Sequence, residues 1–353
     1  MAELSQTETE QYSRHIRLPE IGIQGQNKIK AANVLVVGAG GLGCSVLQYL
    51  CAAGIGTIGI LDNDWIDLSN LPRQLLYNKD DVGKPKTQVA KEKLLTNNPQ
   101  IRIKTHFLRL NRENVLDVFL PYQIIVDCTD NFATRYLISD ASVLSNKPVV
   151  YGAANKFTGQ VTVLNYRNGP SLRCICPTPP HPLEVPSCSQ TGVLGPLAGI
   201  IGAMLATEVI KILLGMENVL SGKYFVFDSA TYSTQLIPFN SDHEASKIIE
   251  LGIYEDSSCD EIIEIQKITI NDLKLMEAEN PGLLLIDLRD PAEKTDIGLD
   301  CVSIPFYDIS QNINFLKGNK TIVFYCQYGI ASSKVISYLN NVHNMRNLYN
   351  LIL

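Results

Sequence analysis

The chain has 353 residues, 45% hydrophobic and 19% charged, with a formal net charge of −6, an ordinary globular composition long enough for two domains. The acidic balance argues against nucleic acid as the main partner, and the polar opening Ala2–Arg14 does not read as a signal peptide. The longest apolar stretch, Val193–Ala206, is closed by Glu208 and Lys211 and falls short of the roughly 18 residues a membrane span needs, so it reads as a buried core helix with no membrane partner.

In chain order, strand-length apolar runs at Val34–Val37, Thr57–Leu61, Ile101–Phe107, Ile124–Cys128 and Val149–Tyr151 alternate with helix-length segments such as Leu42–Ala53 and Lys84–Asn97. That alternation predicts an α/β fold, a Rossmann-like, mostly parallel sheet covered by helices. Gln160–Asn165 and Tyr224–Asp228 read as later strands, Pro177–Pro186 with its five prolines as a loop, and Pro196–Leu214 as a long apolar helix. Asn240–Glu264 turns polar and acidic. A shorter α/β pattern follows, with strands at Leu283–Asp287 and Thr321–Tyr325 and helices at Asn271–Glu279 and Ser332–Asn340. The expected domains are therefore 1–240, a linker 241–266, and a smaller α/β domain 267–353. The nine cysteines are scattered without the spacing of a small secreted scaffold, which fits a reducing cytoplasm.

Residues 33–43 form a strand, a glycine-rich turn and a helix start, with Gly38, Gly40, Gly41 and Gly43, and Asp62 closes the next strand. This arrangement aims backbone N–H groups and a helix N-terminus at phosphate, and places a carboxylate for a ribose. By itself it suits a nicotinamide dehydrogenase as well as an ATP enzyme. Asp62-Asn-Asp64, Ser69-Asn-Leu-Pro-Arg73-Gln and Gly83-Lys-Pro-Lys86 tip the balance, because a triphosphate needs cationic side chains or a metal. Asp130-Asn131 follows the fourth strand at the edge where ligands bind, and an Asp there suits Mg²⁺.

These segments, together with Tyr12-Ser-Arg-His-Ile-Arg17 and Thr129-Asp-Asn131, resemble the ThiF/MoeB/HesA family, relatives of the ubiquitin-activating enzymes, from about Tyr12 to Phe239. The resemblance implies ATP-dependent adenylation of the C-terminal glycine of a ubiquitin-like sulfur carrier ending in Gly-Gly. It assigns Asp62 to the ribose, Asn70, Arg73 and Lys86 to the phosphates and Asp130 to Mg²⁺, with Asp64, Ser69 and Asn131 also among the nucleotide-binding residues. It further implies a homodimer in which Arg14 reaches the partner's ATP site, and a crossover-loop cysteine, Cys188, that in some members links covalently to the carrier. A spectator thiol is the other reading of Cys188. The family's two C-x-x-C zinc pairs are absent: Ser171-Leu-Arg-Cys174-Ile-Cys176 stands at the first and only Cys259 at the second. Zinc is therefore not expected.

In the last segment, Thr321–Tyr325 leads into Cys326-Gln-Tyr-Gly-Ile-Ala-Ser-Ser333. A cysteine at a strand end, in a loop capped by a helix N-terminus, is expected to have a stabilised thiolate suited to carrying sulfane sulfur as a persulfide. With Ile286-Asp-Leu-Arg-Asp290 and Val302-Ser-Ile-Pro305, this stretch resembles a rhodanese domain from about Lys267 to Leu353. Ala331 stands where an arginine is usual, and the chain stops where a Gly-Gly turn and a final helix are usual. A protein sulfur donor is one reading of these departures. The joint expectation is an adenylyltransferase whose second domain supplies sulfur for a thiocarboxylate, in molybdopterin or thiamine biosynthesis. The alternatives are a carrier-binding scaffold without turnover and a nicotinamide oxidoreductase.

Overall fold

The computed structural model describes residues 4–179, 192–242, 247–254, 265–280, 282–289, 298–318, 321–326 and 329–352. The chain forms two compact units that part after Tyr254.

In the first unit, helices α1 (Gln6–Gln11), α2 (Ser13–Ile16) and α3 (Gly22–Ala31) precede strand β1 (Asn33–Val37). Then follow α4 (Gly41–Ala53), β2 (Thr57–Leu61), α5 (Lys86–Asn97), β3 (Arg102–His106), α6 (Val115–Phe119), β4 (Ile124–Asp127), α7 (Phe132–Ser145), β5 (Val149–Asn155), β6 (Thr158–Leu164), α8 (Gly195–Leu214), β7 (Lys223–Asp228) and β8 (Ser233–Pro238). The strands form one sheet in the order β3-β2-β1-β4-β5-β6-β7-β8. Pairing is parallel from β3 to β5 and antiparallel from β5 to β8. The connection from β1 passes to β2 on one side, and the chain returns to β4 on the other. That reversal opens a crevice at the carboxyl ends of β1 and β4, where doubly wound sheets bind ligands.

The central strands β1, β2 and β4 are buried on both faces, and for that reason they read as continuous apolar runs. Val34 and Val36 point into a core shared with Leu47, Leu197, Ile201 and Leu205, while Leu35 and Val37 point into a second core with Phe119, Tyr136 and Ile138. Each such side chain contributes roughly 1.5–3 kcal/mol by leaving water. Helix α8 has 20 residues and a mean hydropathy of 2.0, enough by composition to cross a membrane. It packs instead on α4, β5 and β6, with Leu197, Ala198, Ile201, Leu205 and Val209 fully buried. The sequence pattern does not disclose α7, whose inner face carries Arg135, Ser139, Asp140 and Ser142 among its buried residues. Within the stretch expected as a linker, Leu251 is buried in the second core and the Tyr254 hydroxyl donates to Asp140 at 2.7 Å. The first unit therefore reaches Tyr254 rather than ending near residue 240.

The second unit contains β9 (Lys267–Ile268), α9 (Ile270–Glu279), β10 (Leu283–Asp287), β11 (Val302–Ser303), α10 (Ile313–Lys317), β12 (Thr321–Tyr325), α11 (Ile330–His343) and β13 (Leu348–Leu351). Its five parallel strands lie in the order β11-β10-β12-β13-β9. Along β12, Ile322 and Phe324 enter one core and Val323 and Tyr325 the other. Leu348–Leu351 forms β13, an interior strand of this sheet.

Candidate functional site

A cleft of about 430 Å³ opens at the carboxyl ends of the central strands of the first unit. Its floor is the glycine turn between β1 and α4. Gly38 has φ +93°, and a Cβ there would lie 2.8 Å from the Cys128 carbonyl oxygen, so only glycine fits. Gly40 caps α4 without a side chain, leaving the helix N-terminus open to an anion. Gly43 has a different role from the one expected. It does not line the cleft; a Cβ on it would lie 1.9 Å from the Gly38 carbonyl oxygen, so it lets α4 close onto β1.

Asp62, at the end of β2, is buried and accepts the Ala39 N–H at 2.7 Å and the Asp64 N–H at 2.8 Å. Burial raises its carboxyl above the ordinary value, against the pull of nearby Lys86 and these two N–H groups. The carboxylate thus ties the glycine turn to the β2 end as well as lining the cleft.

Lys86 opens α5 behind Pro85. It is buried, and its Nζ lies 2.8 Å from Oδ2 of the exposed Asp64. Arg73 lines the cleft and donates from Nη1 to the Ser69 carbonyl at 3.0 Å. Asn70 lines it too, its Oδ1 accepting the Asp67 N–H at 3.1 Å. Ser69 does not line the cleft; its carbonyl positions Arg73. Trp65, the chain's single tryptophan, also lines the cleft and meets Phe107 edge-on with ring centroids 5.8 Å apart.

Asp130 is exposed on the opposite strand end, in the turn between β4 and α7. Asn131 lines the cleft while its Oδ1 caps α7 by accepting the Thr134 N–H at 2.9 Å. Two residues here escape a reading of the sequence. Arg135 donates from Nε and Nη2 to the Thr129 carbonyl and from Nη1 to the Tyr151 hydroxyl at 2.6 Å, with its guanidinium 5.0 Å from the Tyr151 ring centroid. Asp127, fully buried, accepts from the Thr129 N–H and hydroxyl at 2.9 and 2.7 Å. Burial pushes its carboxyl up, while the Arg135 charge pulls the other way. These two side chains brace the turn that presents Asp130. An arginine on the otherwise core-facing side of a helix, one turn after an Asp-Asn pair, is the signal that could have revealed them.

Among the described residues, no group of three or more His, Cys, Asp or Glu side chains could hold a metal by itself. A Mg²⁺ bound by one carboxylate and phosphate oxygens needs no such group, and Asp130, an exposed carboxylate on a cleft also lined by Lys86 and Arg73, fits that mode. Arg14 is exposed on α2 and does not line this chain's own cleft. Its segment is firmly seated. Glu8 pairs with Lys30 at 2.7 Å, Tyr12 is buried against Gly54, and its hydroxyl accepts from Asn98 at 2.9 Å. Where the family's first C-x-x-C pair would stand, Cys174 Sγ accepts the Asp242 N–H at 3.3 Å and lies 3.7 Å from Ser171 Oγ. Cys188 and Cys259 lie outside the described residues.

In the second unit, Asp287 and Arg289 form a buried, two-toothed ion pair, with Nη2 2.9 Å from Oδ2 and the guanidinium 4.9 Å from the Tyr325 ring centroid. The pair fixes the β10 end next to β12. Cys326 follows β12 and is buried, with Sγ accepting the Ser332 N–H at 3.4 Å. Gly329, with φ +69°, starts α11. Asp290, Gln327 and Tyr328 lie outside the described residues.

A parallel sheet with a glycine phosphate cradle, a carboxylate at the second strand end and a Lys–Arg–Asp cleft defines a nucleotide-binding α/β protein of the adenylating kind. The chain belongs to the ThiF family, whose model matches residues 12–247. It is 39% identical over 348 residues to the probable adenylyltransferase/sulfurtransferase MoeZ of Mycobacterium tuberculosis, covering 95% of this chain and 88% of that one. It is 41% identical over 330 residues to the adenylyltransferase and sulfurtransferase MOCS3 of Culex quinquefasciatus, covering 88% and 75%. A sulfur carrier protein adenylyltransferase of Thermus thermophilus is 46% identical over 227 residues, 63% of this chain and 84% of that one. Among solved structures, E. coli MccB with ATP superposes with a TM-score of 0.58 at 24% identity over 68% of this chain and 73% of that one, a likeness of fold alone.

Proposed function

We propose that the chain adenylates the C-terminal carboxylate of a ubiquitin-like sulfur carrier ending in Gly-Gly, and that Cys326 delivers sulfur to the activated carboxylate. The observation that carries the first half is one cleft holding the glycine cradle, Asp62, Lys86, Arg73 and Asp130. The MoeZ and MOCS3 relatives cited above, similar over most of this chain, are named for both activities, which supports the second half.

A carboxylate oxygen of the carrier attacks the α-phosphorus of ATP. The O–P bond of the acyl-adenylate forms, the bond from the α-phosphorus to the oxygen that bridges it to the β-phosphorus breaks, and pyrophosphate leaves with that oxygen and the electron pair. No proton moves, so the site needs no general base. It needs cations fixed where charge develops, a role for Lys86 and Arg73, with the α4 N-terminus holding phosphate and Asp62 the ribose. Asp130 would hold Mg²⁺, which supplies charge neutralisation at the phosphates. Arg14 acts in the partner's cleft of a homodimer; its exposure and its firmly seated segment support that reading. The terminal sulfur of a Cys326 persulfide then forms the C–S bond as AMP leaves, and a second thiol attacking the S–S bond releases the thiocarboxylate. Cys188 is a candidate for a covalent link to the carrier. The proposed domains are an adenylation domain and a rhodanese-like sulfur domain, working in the cytoplasm for molybdopterin or thiamine biosynthesis.

The test is the intact mass of a purified carrier incubated with the full chain, ATP, Mg²⁺ and a persulfide source. The expected result is exchange of a carboxyl oxygen for sulfur, lost in Cys326→Ala while acyl-adenylate still forms. Unchanged thiocarboxylate yield in Cys326→Ala would contradict the role of Cys326.

A further inference from the structure

Gln74 is buried, only 3% exposed, on the wall of the cleft. Its backbone is fixed from both sides: the N–H donates to the Asn70 carbonyl and the carbonyl accepts the Tyr77 N–H, each at 3.0 Å. The side chain is not held in that way. Oε1 is fully buried and has no hydrogen-bond partner among the described residues. Nε2 faces Gly40, 3.7 Å from where a Cβ on that glycine would lie. An unpartnered buried amide oxygen destabilises a fold, so a side chain placed here for packing alone would be apolar. A carboxamide offers a donor on one arm and an acceptor on the other. It suits a place where an acceptor and a donor arrive together.

Three successive residues locate that place. The Ala39 N–H donates to Asp62 at 2.7 Å, the carboxylate assigned to the ribose. Gly40 caps α4 and faces Gln74. A Cβ on Gly41 would lie 3.2 Å from the Ala198 Cβ, so Gly41 faces the start of α8, where Ala153, Ala154, Val193 and Ala198 line the cleft. The phosphoryl group next to a ribose is the α-phosphoryl, which falls at Gly40 and the α4 N-terminus. A glycine tail, with no side chains to house, fits the small apolar wall beyond it. The triphosphate brings acceptors only, whereas the attacking terminal residue brings a peptide N–H beside its carboxylate.

We propose that Gln74 bridges the two substrates of adenylation: Nε2 donates to an α-phosphoryl oxygen of ATP, and Oε1 accepts the peptide N–H of the carrier's terminal glycine. The last torsion of a glutamine is soft, so the amide turns to both partners from a fixed backbone. The bridge holds the attacking carboxylate against the α-phosphorus and puts a donor on the group whose charge rearranges in the transition state. The nucleotide half of the bridge needs only ATP; the carrier half rests on the adenylation reading above.

The test has two arms, both on the full chain. In the first, adenosine, AMP and ATP are titrated through the fluorescence of Trp65. Gln74→Met should weaken AMP and ATP alike, by about tenfold, the scale of one hydrogen bond to a charged group, and leave adenosine within about twofold. Without nucleotide the variant should melt no lower than the native chain, since it loses an unpartnered buried oxygen. In the second arm, ATP–pyrophosphate exchange is driven by a ubiquitin-like carrier ending in Gly-Gly, or by the same carrier ligated to end in glycine and N-methylglycine, which keeps the carboxylate and lacks the N–H. The native chain should favour the Gly-Gly carrier about tenfold, and Gln74→Met should discriminate less than about twofold. Gln74→Glu keeps an acceptor and loses the donor; it should bind AMP and ATP at least as weakly as Gln74→Met, yet still favour the Gly-Gly carrier. Equal weakening of adenosine would make Gln74 a packing residue, loss confined to ATP would place Nε2 on the outer phosphates, and undiminished discrimination in Gln74→Met would remove the contact to the carrier; each overturns the bridge. A native chain that shows no carrier-dependent exchange would instead remove the adenylation reading and the carrier half with it, and the nucleotide half would stand or fall by the titrations.

Discussion

Lys86 Nζ and Asp64 Oδ2 lie 2.8 Å apart, a buried cation paired with an exposed carboxylate at the mouth of the nucleotide cleft. Phosphate must compete with Asp64 for this ammonium. A pair with one exposed partner is worth about 0.2–1 kcal/mol. Asp64→Asn should therefore tighten metal-free ATP binding about two- to fivefold, titrated through the fluorescence of Trp65. Lys86→Ala should lower kcat/KM for adenylation about 10²- to 10³-fold, the usual cost of one charge-stabilising donor. Weaker metal-free binding in Asp64→Asn would show that the carboxylate assists Lys86 rather than competing with it.

Two glycines of the same turn should respond in opposite ways. A Cβ on Gly43 meets the Gly38 carbonyl oxygen at 1.9 Å, whereas on Gly40 the nearest atom is Gln74 Nε2 at 3.7 Å. Gly43→Ala should cost about 2 kcal/mol or more in urea unfolding, as an overpacked site does. Gly40→Ala should unfold like the native chain and lose its effect mainly in nucleotide affinity, by about tenfold, because the methyl group intrudes on the anion cradle. Equal stability of the two variants would contradict this division of roles.

Arg135 supports Asp130 without needing to touch the nucleotide. Removing it leaves the Thr129 carbonyl and Tyr151 hydroxyl short of a donor and buried Asp127 without its nearby cation. Arg135→Met should destabilise the fold by about 3 kcal/mol and lower the adenylation rate. Tyr151→Phe should cost about 1 kcal/mol. Stability curves and adenylation rates of both variants check the ordering.

How much of this was legible in the sequence follows from how local each signal is. The glycine turn, Asp62, Lys86 and Asp130 sit at fixed offsets from strands whose apolar runs mark them, and they line one cleft. Gly43 and Ser69 belong to the same motifs but serve packing and Arg73, which a motif does not distinguish. Arg135 and Asp127 take their roles from Tyr151 and Thr129, a meeting of β4, β5 and α7 that exists only in three dimensions. Leu348–Leu351 is too short to announce itself; it becomes an interior strand because β12 and β9 flank it.

The N-terminal segment should loosen in acid. Burial raises the Glu8 carboxyl, but hydrogen bonds from Lys30 and the Ser5 backbone outweigh it, and the net effect is a value below the ordinary 4.5. A carboxyl held low in the folded state contributes stability above its unfolded value, and loses that contribution as pH falls through the folded one. The contribution should therefore be complete above about pH 4.5 and fade below it. Lys30→Met should flatten the fall of stability with pH in that range, measured by thermal melts across a pH series. An unchanged slope would mean that the pair does not hold α1 to α3.

The measurement that bears most directly on the account is ATP–pyrophosphate exchange by the purified full chain with Mg²⁺, with and without a ubiquitin-like carrier ending in Gly-Gly. The account predicts exchange that requires the carrier and disappears in Asp130→Ala, while that variant keeps its fold. Tight ATP binding without exchange for any such carrier, or exchange that survives Asp130→Ala undiminished, would contradict it.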